Sequence, residues 1–133
     1  MENGGYKDDP TIPDKAELLR RIHPKQWELD ENLRRIRPVS GAFDDPSDGT
    51  PMSVDLAEVY IQMGQSPEAA LIGYEEFALT SITAGLVREC GLGVARQPLP
   101  KNPAHTVVFG KKSQKIRRKL AKEAHWVVPP QNS

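Results

Sequence analysis

Cysteine is nearly missing from this sequence: Cys90 stands alone among 133 residues. A single thiol excludes an internal disulfide framework and fits a reducing compartment. Long apolar runs are missing as well. No stretch approaches the roughly 18 consecutive apolar residues of a membrane-spanning helix, so no membrane partner is expected. The first residues lack the basic start, apolar middle and small-residue cleavage site of a signal peptide, which makes cytoplasmic the expected location.

Complete ligand and phosphate motifs are lacking too. Three histidines and one cysteine lie scattered through the chain without the paired spacing of a zinc site, so no metal and no cofactor is expected. Asp44, Asp45 and Asp48 precede Gly49, but the twelve-residue pattern and closing glutamate of a calcium loop are absent. "FGKKS" resembles the end of a phosphate-binding loop, yet His105 stands where its first glycine belongs. "GLGVAR" has two glycines without a third and leads into a strand, which excludes a dinucleotide fingerprint. Ser53 and Ser81 lack the flanking glycines of a nucleophile elbow.

Net charge is zero, but it is unevenly distributed. Residues 1–100 carry 10 Lys and Arg against 17 Asp and Glu, a balance of −7. Residues 101–133 carry 8 basic residues against Glu123 alone, a balance of +7. Such a split points to partners or self-docking rather than to a fold.

Twelve prolines and ten glycines mean many turns and short elements. "TIPDKAELLRRIHP" reads as a first helix: Pro13 suits its first turn, Asp14 and Glu17 its positive end, and Arg20 and Arg21 its other end. Pro24 then stops it. "QWEL" and "LRRIRPV" are short strand candidates, and "SGAFDDPSDGTP" is a loop. "MSVDLAEVYIQMG" reads as a helix capped by Asp55, with Leu56, Val59, Tyr60 and Met63 on one face. "SPEAALIG" follows as a short helix capped by Ser66.

Beyond it, "FALTSIT", "GVARQPL", "HTVVF" and "WVVPP" read as strands, while "AGLVRECG" and "KKSQKIRRKLAKEAH" read as helices. The expected architecture is α+β: a single domain over 11–128, with a small mixed or antiparallel sheet and helices mainly on one face. Residues 1–10 and 129–133 are polar and are expected as flexible tails.

Two groups of residues carry functional expectations. The first is the basic helix, where Lys111, Lys115, Arg118 and Lys122 line a face distinct from that of Ile116, Leu120 and Ala124. Such a face suits an acidic protein or the phosphates of a nucleic acid, although no aromatic residue in it can stack on a base. The second is the histidines, the side chains best suited to proton transfer near neutral pH.

His23 and His105 in one cleft, with Arg21, Arg37, Ser40, Ser53 or Asp55 beside them, would make a phosphodiesterase or group transferase. One ring would take a proton, the other would give one, and Arg21 would meet the developing charge. His125, Trp27, Trp126 and Cys90 read as packing residues. The leading expectation is an accessory or adaptor protein that binds through the basic helix. The His-dependent enzyme is the alternative, and a homodimer joining the basic helix to the acidic body is a third reading.

Overall fold

Glu17–Ile22 forms β1, the middle strand of the structure rather than the expected first helix. Period-two alternation is hidden in "ELLRRI" because both of its faces are covered. Leu18 and Ile22 point to one side, Leu19 to the other, and all three are buried. Arg20 and Arg21 also fall on opposite sides. The computed structural model that shows this describes residues 5–131, so the parts of the expected tails beyond those limits lie outside the described residues.

The remaining elements follow in short runs: β2 Trp27–Asp30, β3 Arg35–Pro38, β4 Met52–Leu56, α1 Ala57–Gln62, β5 Ala78–Thr83 and α2 Ala84–Glu89. β6 Gly93–Arg96, β7 His105–Phe109, α3 Gln114–Glu123 and β8 His125–Val128 complete the chain. Six strands make one sheet in the order β6-β7-β4-β1-β5-β8, and every pairing in it is antiparallel. β2 and β3 pair separately as a hairpin. The α+β expectation therefore holds. No helix among the described residues is long and apolar enough to cross a membrane.

The expected helix from Met52 onward is also corrected. Its first five residues are β4, and helix begins only at Ala57. Asp55 does not cap it, because its side chain points across the sheet and is buried. Pro67–Leu71 is a 3-10 helix, and the Ser66 hydroxyl makes no capping bond to it. By contrast, Thr83 caps α2 by accepting from the Leu86 amide, and Ser113 caps α3 by accepting from the Ile116 amide.

The two faces of the sheet differ. On one, Leu18, Ile22, Met52, Val54, Leu56, Ile82 and Val108 pack with Phe43, with Ala84 and Val87 of α2, and with Leu120 and Ala121 of α3. Trp27 and Trp126 pack against the edge of this cluster, and the Trp126 indole N–H donates to the Ile36 carbonyl at 3.0 Å. The other face holds a smaller cluster in which Leu19 and Leu79 meet Ala57 and Tyr60 of α1 and Ala70 of the 3-10 helix.

The amino-terminal segment runs along β6. Tyr6 stacks on Phe109 with ring centroids 5.7 Å apart. Asp8 pairs with Arg88 and accepts from the Val94 amide at 3.0 Å. Gly93 is required here, since a Cβ would lie 2.2 Å from the Phe109 ring.

Candidate functional site

The β1–β4 ladder lasts for two residue pairs, Leu18 with Leu56 and Leu19 with Asp55. Beyond them the strands part, and side chains take over the backbone groups the ladder would have satisfied. The Arg20 guanidinium donates to the Ser53 carbonyl at 2.8 Å and to the Ala42 carbonyl at 3.0 Å. Burial lowers the pKa of this arginine to about 10, and the neighbouring Arg21 charge acts in the same direction.

On the opposite face the opening is polar. Ser53 and Asp55 alternate with Met52, Val54 and Leu56 along β4, and His105 lies directly across from Asp55 on β7. The Asp55 carboxylate accepts three bonds: from Arg21 at 2.7 Å, from the Tyr60 hydroxyl at 2.6 Å and from the Asn102 amide at 3.0 Å. One buried carboxylate thus ties β1, α1 and the loop before β7 together. Burial and the adjacent Asp55 carboxylate both raise the Tyr60 phenol well above its ordinary range.

That loop is shaped by the same contacts. Leu99 and Asn102 exchange backbone bonds of 3.0 Å, which closes a tight turn with Pro100 and Lys101 at its tip. The Asn102 side-chain oxygen accepts from the Ala104 amide at 3.2 Å, so its amide group is committed to Asp55.

His105 Nδ1 lies 2.9 Å from the Gln97 carbonyl, and Nε2 lies 3.1 Å from the Ser53 hydroxyl. A carbonyl only accepts, so in the neutral ring Nδ1 carries the hydrogen and Nε2 accepts from Ser53. The serine proton is thereby aimed at a ring whose tautomer and orientation are fixed from behind.

These groups form part of a pocket of about 650 Å³, a volume in the usual range for small-molecule sites. Arg21, Ser53, Lys101, Asn102 and His105 supply its polar wall. Met63, Ile72, Tyr74 and Leu99, all exposed hydrophobic residues, supply an apolar rim. The Arg21 guanidinium lies 4.5 Å from the centre of the Tyr74 ring and donates to the Ala70 carbonyl at 2.7 Å. Both contacts hold it at the pocket wall.

Of the histidine set expected from the sequence, Arg21 and His105 therefore share this pocket, while His23 does not line it. His23 sits before the 3-10 helix Pro24–Gln26, where Nδ1 accepts from the Lys25 amide at 3.0 Å. Its ring meets Phe77 edge-on at 5.2 Å, and Phe77 in turn meets Tyr74. Ser53 and Asp55, two of the companions expected for such a cleft, flank His105 on the neighbouring strand. Tyr60, Lys101 and Asn102 were not expected in it; the signal in the sequence was the polar character of "KNPAH", a segment that leads into the strand paired directly with the Asp55 strand. Cys90 is half-buried at the edge of the core, and burial raises its thiol pKa.

The acidic loop serves the basic helix. Asp44 pairs with Arg117 at 2.6 Å, and Asp45 pairs with the buried Lys112 at 2.6 Å while accepting from the Met52 amide. Lys115, Arg118 and Lys122 are exposed on α3, whereas Lys111, expected on the same helix face, is exposed ahead of the Ser113 cap and outside the helix. No family model, curated protein or solved structure matches this chain, so its chemistry is read from this geometry alone.

Proposed function

We propose that the protein is a small hydrolase or transferase acting on phosphate esters, with Ser53 as nucleophile and His105 as its general base. The observation that carries this reading is the oriented pair itself: His105 Nε2 lies 3.1 Å from Ser53 Oγ, with Nδ1 held by the Gln97 carbonyl. Asp55 offsets the charge of Arg21. Lys101, without an ion-pair partner among the described residues, leaves the pocket wall with an excess positive charge that favours an anionic ester over a neutral one. The rim of Met63, Ile72, Tyr74 and Leu99 suits an apolar or aromatic group on the alcohol side.

In the first step Ser53 Oγ attacks phosphorus while its proton passes to His105 Nε2. The bond from phosphorus to the alcohol oxygen breaks, and His105 returns the proton to that oxygen. In the second step His105 takes a proton from water, or from an acceptor alcohol, as its oxygen attacks the phosphoserine. The Ser53–phosphorus bond then breaks, and the proton goes back to Ser53. Asp55 acts as a positioning residue: it fixes Arg21 and, through Asn102, the turn that carries Lys101. The single thiol fits a cytoplasmic setting for such a reaction.

The test is turnover of bis(p-nitrophenyl) phosphate and p-nitrophenyl phosphate by the full chain, with p-nitrophenyl acetate as the neutral ester. Release from a phosphate ester should fall by about a hundredfold or more in Ser53→Ala and in His105→Ala, the range of a lost general base. Turnover of the acetate alone would overturn the substrate class. Phosphate-ester turnover that survives both substitutions would overturn the site.

A further inference from the structure

The seven cations between 111 and 122 divide into two sets. Lys112 and Arg117 are bound to Asp45 and Asp44 and fasten α3 to the loop before β4. Lys111, Lys115, Arg118, Lys119 and Lys122 are exposed, and none has an ion-pair partner among the described residues. The apolar residues of α3, Ile116, Leu120 and Ala121, face the core.

Arg118 and Lys122 also form one wall of a groove of about 550 Å³, and the β2–β3 hairpin forms the other. Two carboxylates line the hairpin side, Glu28 and Asp30. Arg37 pairs with both at 3.0 and 3.2 Å, and only with Arg35 counted does the hairpin wall balance, at two cations against two carboxylates. Arg35, on the same wall, has no acidic partner among the described residues. The positive excess of the groove therefore comes from α3, where Glu123 is the one acidic residue, and Arg35 places that unpartnered cation on the facing wall.

We infer that this surface, α3 together with the hairpin wall that carries Arg35, binds the phosphate backbone of a nucleic-acid duplex. An acidic protein fits it less well. Protein interfaces are built around several aromatic or apolar anchors and are depleted in lysine. The exposed face of α3 is instead mainly lysine, and Leu33 is, among the described residues, the one exposed large apolar side chain in the groove. No aromatic side chain among the described residues lines the groove, so it offers phosphate contacts without base stacking. Lysines held in water and free of partners are the groups that gain most from releasing condensed counterions. The inference is separate from the esterase reading, because Ser53 and His105 contribute nothing to this surface.

The test is fluorescence anisotropy of the full chain with a labelled mixed-sequence DNA duplex, at rising salt. With three to four phosphates engaged, binding should weaken roughly fortyfold or more between about 50 and about 200 mM salt. The triple variant Lys115→Glu, Arg118→Glu, Lys122→Glu should lose at least tenfold in affinity. A charge-matched control, Lys7→Glu, Lys15→Glu, Lys25→Glu, should stay within about threefold of the parent. Ser53→Ala should bind unchanged even if the esterase reading fails.

Four results would overturn the inference: no duplex binding at low salt, equal losses in both triple variants, tighter binding of the single strand than of the duplex, or equal displacement by poly-glutamate at matched charge. The last would assign the face to an acidic protein instead. The residues exchanged in the first triple variant are exposed and unpaired, so its melting temperature should match the parent's and loss of fold would not mimic loss of binding.

Discussion

Arg20 and Arg21 are neighbours in the chain, yet they serve opposite faces of the sheet in different ways. Arg20 gives its hydrogen bonds to two backbone carbonyls, Ala42 and Ser53, and spans the gap where β1 and β4 part. Arg21 bonds a buried carboxylate, stacks on Tyr74 and lines an open pocket. Neutral carbonyls make the first a structural clamp. A charged partner and access to solvent leave the second able to meet a ligand. The same contrast holds for the two faces: one is closed by apolar packing, and the other keeps a polar opening with its donors and acceptors already oriented.

Asp55→Asn attacks that contrast most directly. The carboxylate accepts from Arg21 and Tyr60 on one oxygen and from Asn102 on the other. An amide has one acceptor oxygen, so in either orientation its NH2 group faces a donor. The variant should lose about 3 kcal/mol of stability, read as a lower urea midpoint, at the lower end of breaking a buried pair because Arg21 is partly solvated. A midpoint unchanged from the parent would mean that the network does not hold the pocket together.

Met52 and Ser53 sharpen the comparison within one strand. Met52 is fully buried in the larger cluster, whereas Ser53 is half-buried at the pocket. Met52→Ala should cost about 2–5 kcal/mol by chemical denaturation and leave turnover per folded molecule intact. Ser53→Ala should stay within about 0.5 kcal/mol of the parent and lose turnover. Two stability losses of the same size would show that the serine is only a packing residue.

Arg20→Met is the smaller companion experiment. It orphans the Ala42 and Ser53 carbonyls where the ladder is open, at a cost of about 2 kcal/mol. Turnover at saturating substrate should survive, since Arg20 touches Ser53 only at its backbone carbonyl and bonds no side chain of the pocket. Loss of turnover without loss of stability would place Arg20 in the site instead of beneath it.

How far this contrast could be read in the sequence depended on burial. Strands such as "HTVVF" and helices with a clear apolar stripe were legible, because one pattern fitted them and no other. "ELLRRI" was not: a strand covered on both faces loses its alternation, and Leu18, Leu19 and Ile22 also fit a helical stripe. Pro13 and Asp14 then supplied a false helix start. Asp55 failed for a related reason, since a buried acceptor and a helix cap use the same residue type. His105, Ser53 and Arg21 were visible as residue types suited to chemistry. That Ser53 and His105 meet depends on the β4–β7 register, which pairs residues about fifty positions apart and leaves no local trace.

The smallest effect tests whether the floor of the pocket is as dry as the packed face. Burial, followed by the bond to Asp55, raises the Tyr60 phenol above its ordinary value, so in the folded protein it keeps its proton where the unfolded chain releases it. Raising pH through about 10 therefore stabilises the unfolded chain, and the contribution of Tyr60, complete below that value, drains away above it. Tyr60→Phe lacks this titration while sharing every other group. The stability gap between parent and variant, from urea midpoints, should narrow between about pH 9 and about pH 11. A gap that stays constant would mean the phenol ionises as easily in the fold as in water, and that water reaches Asp55 from beneath the pocket.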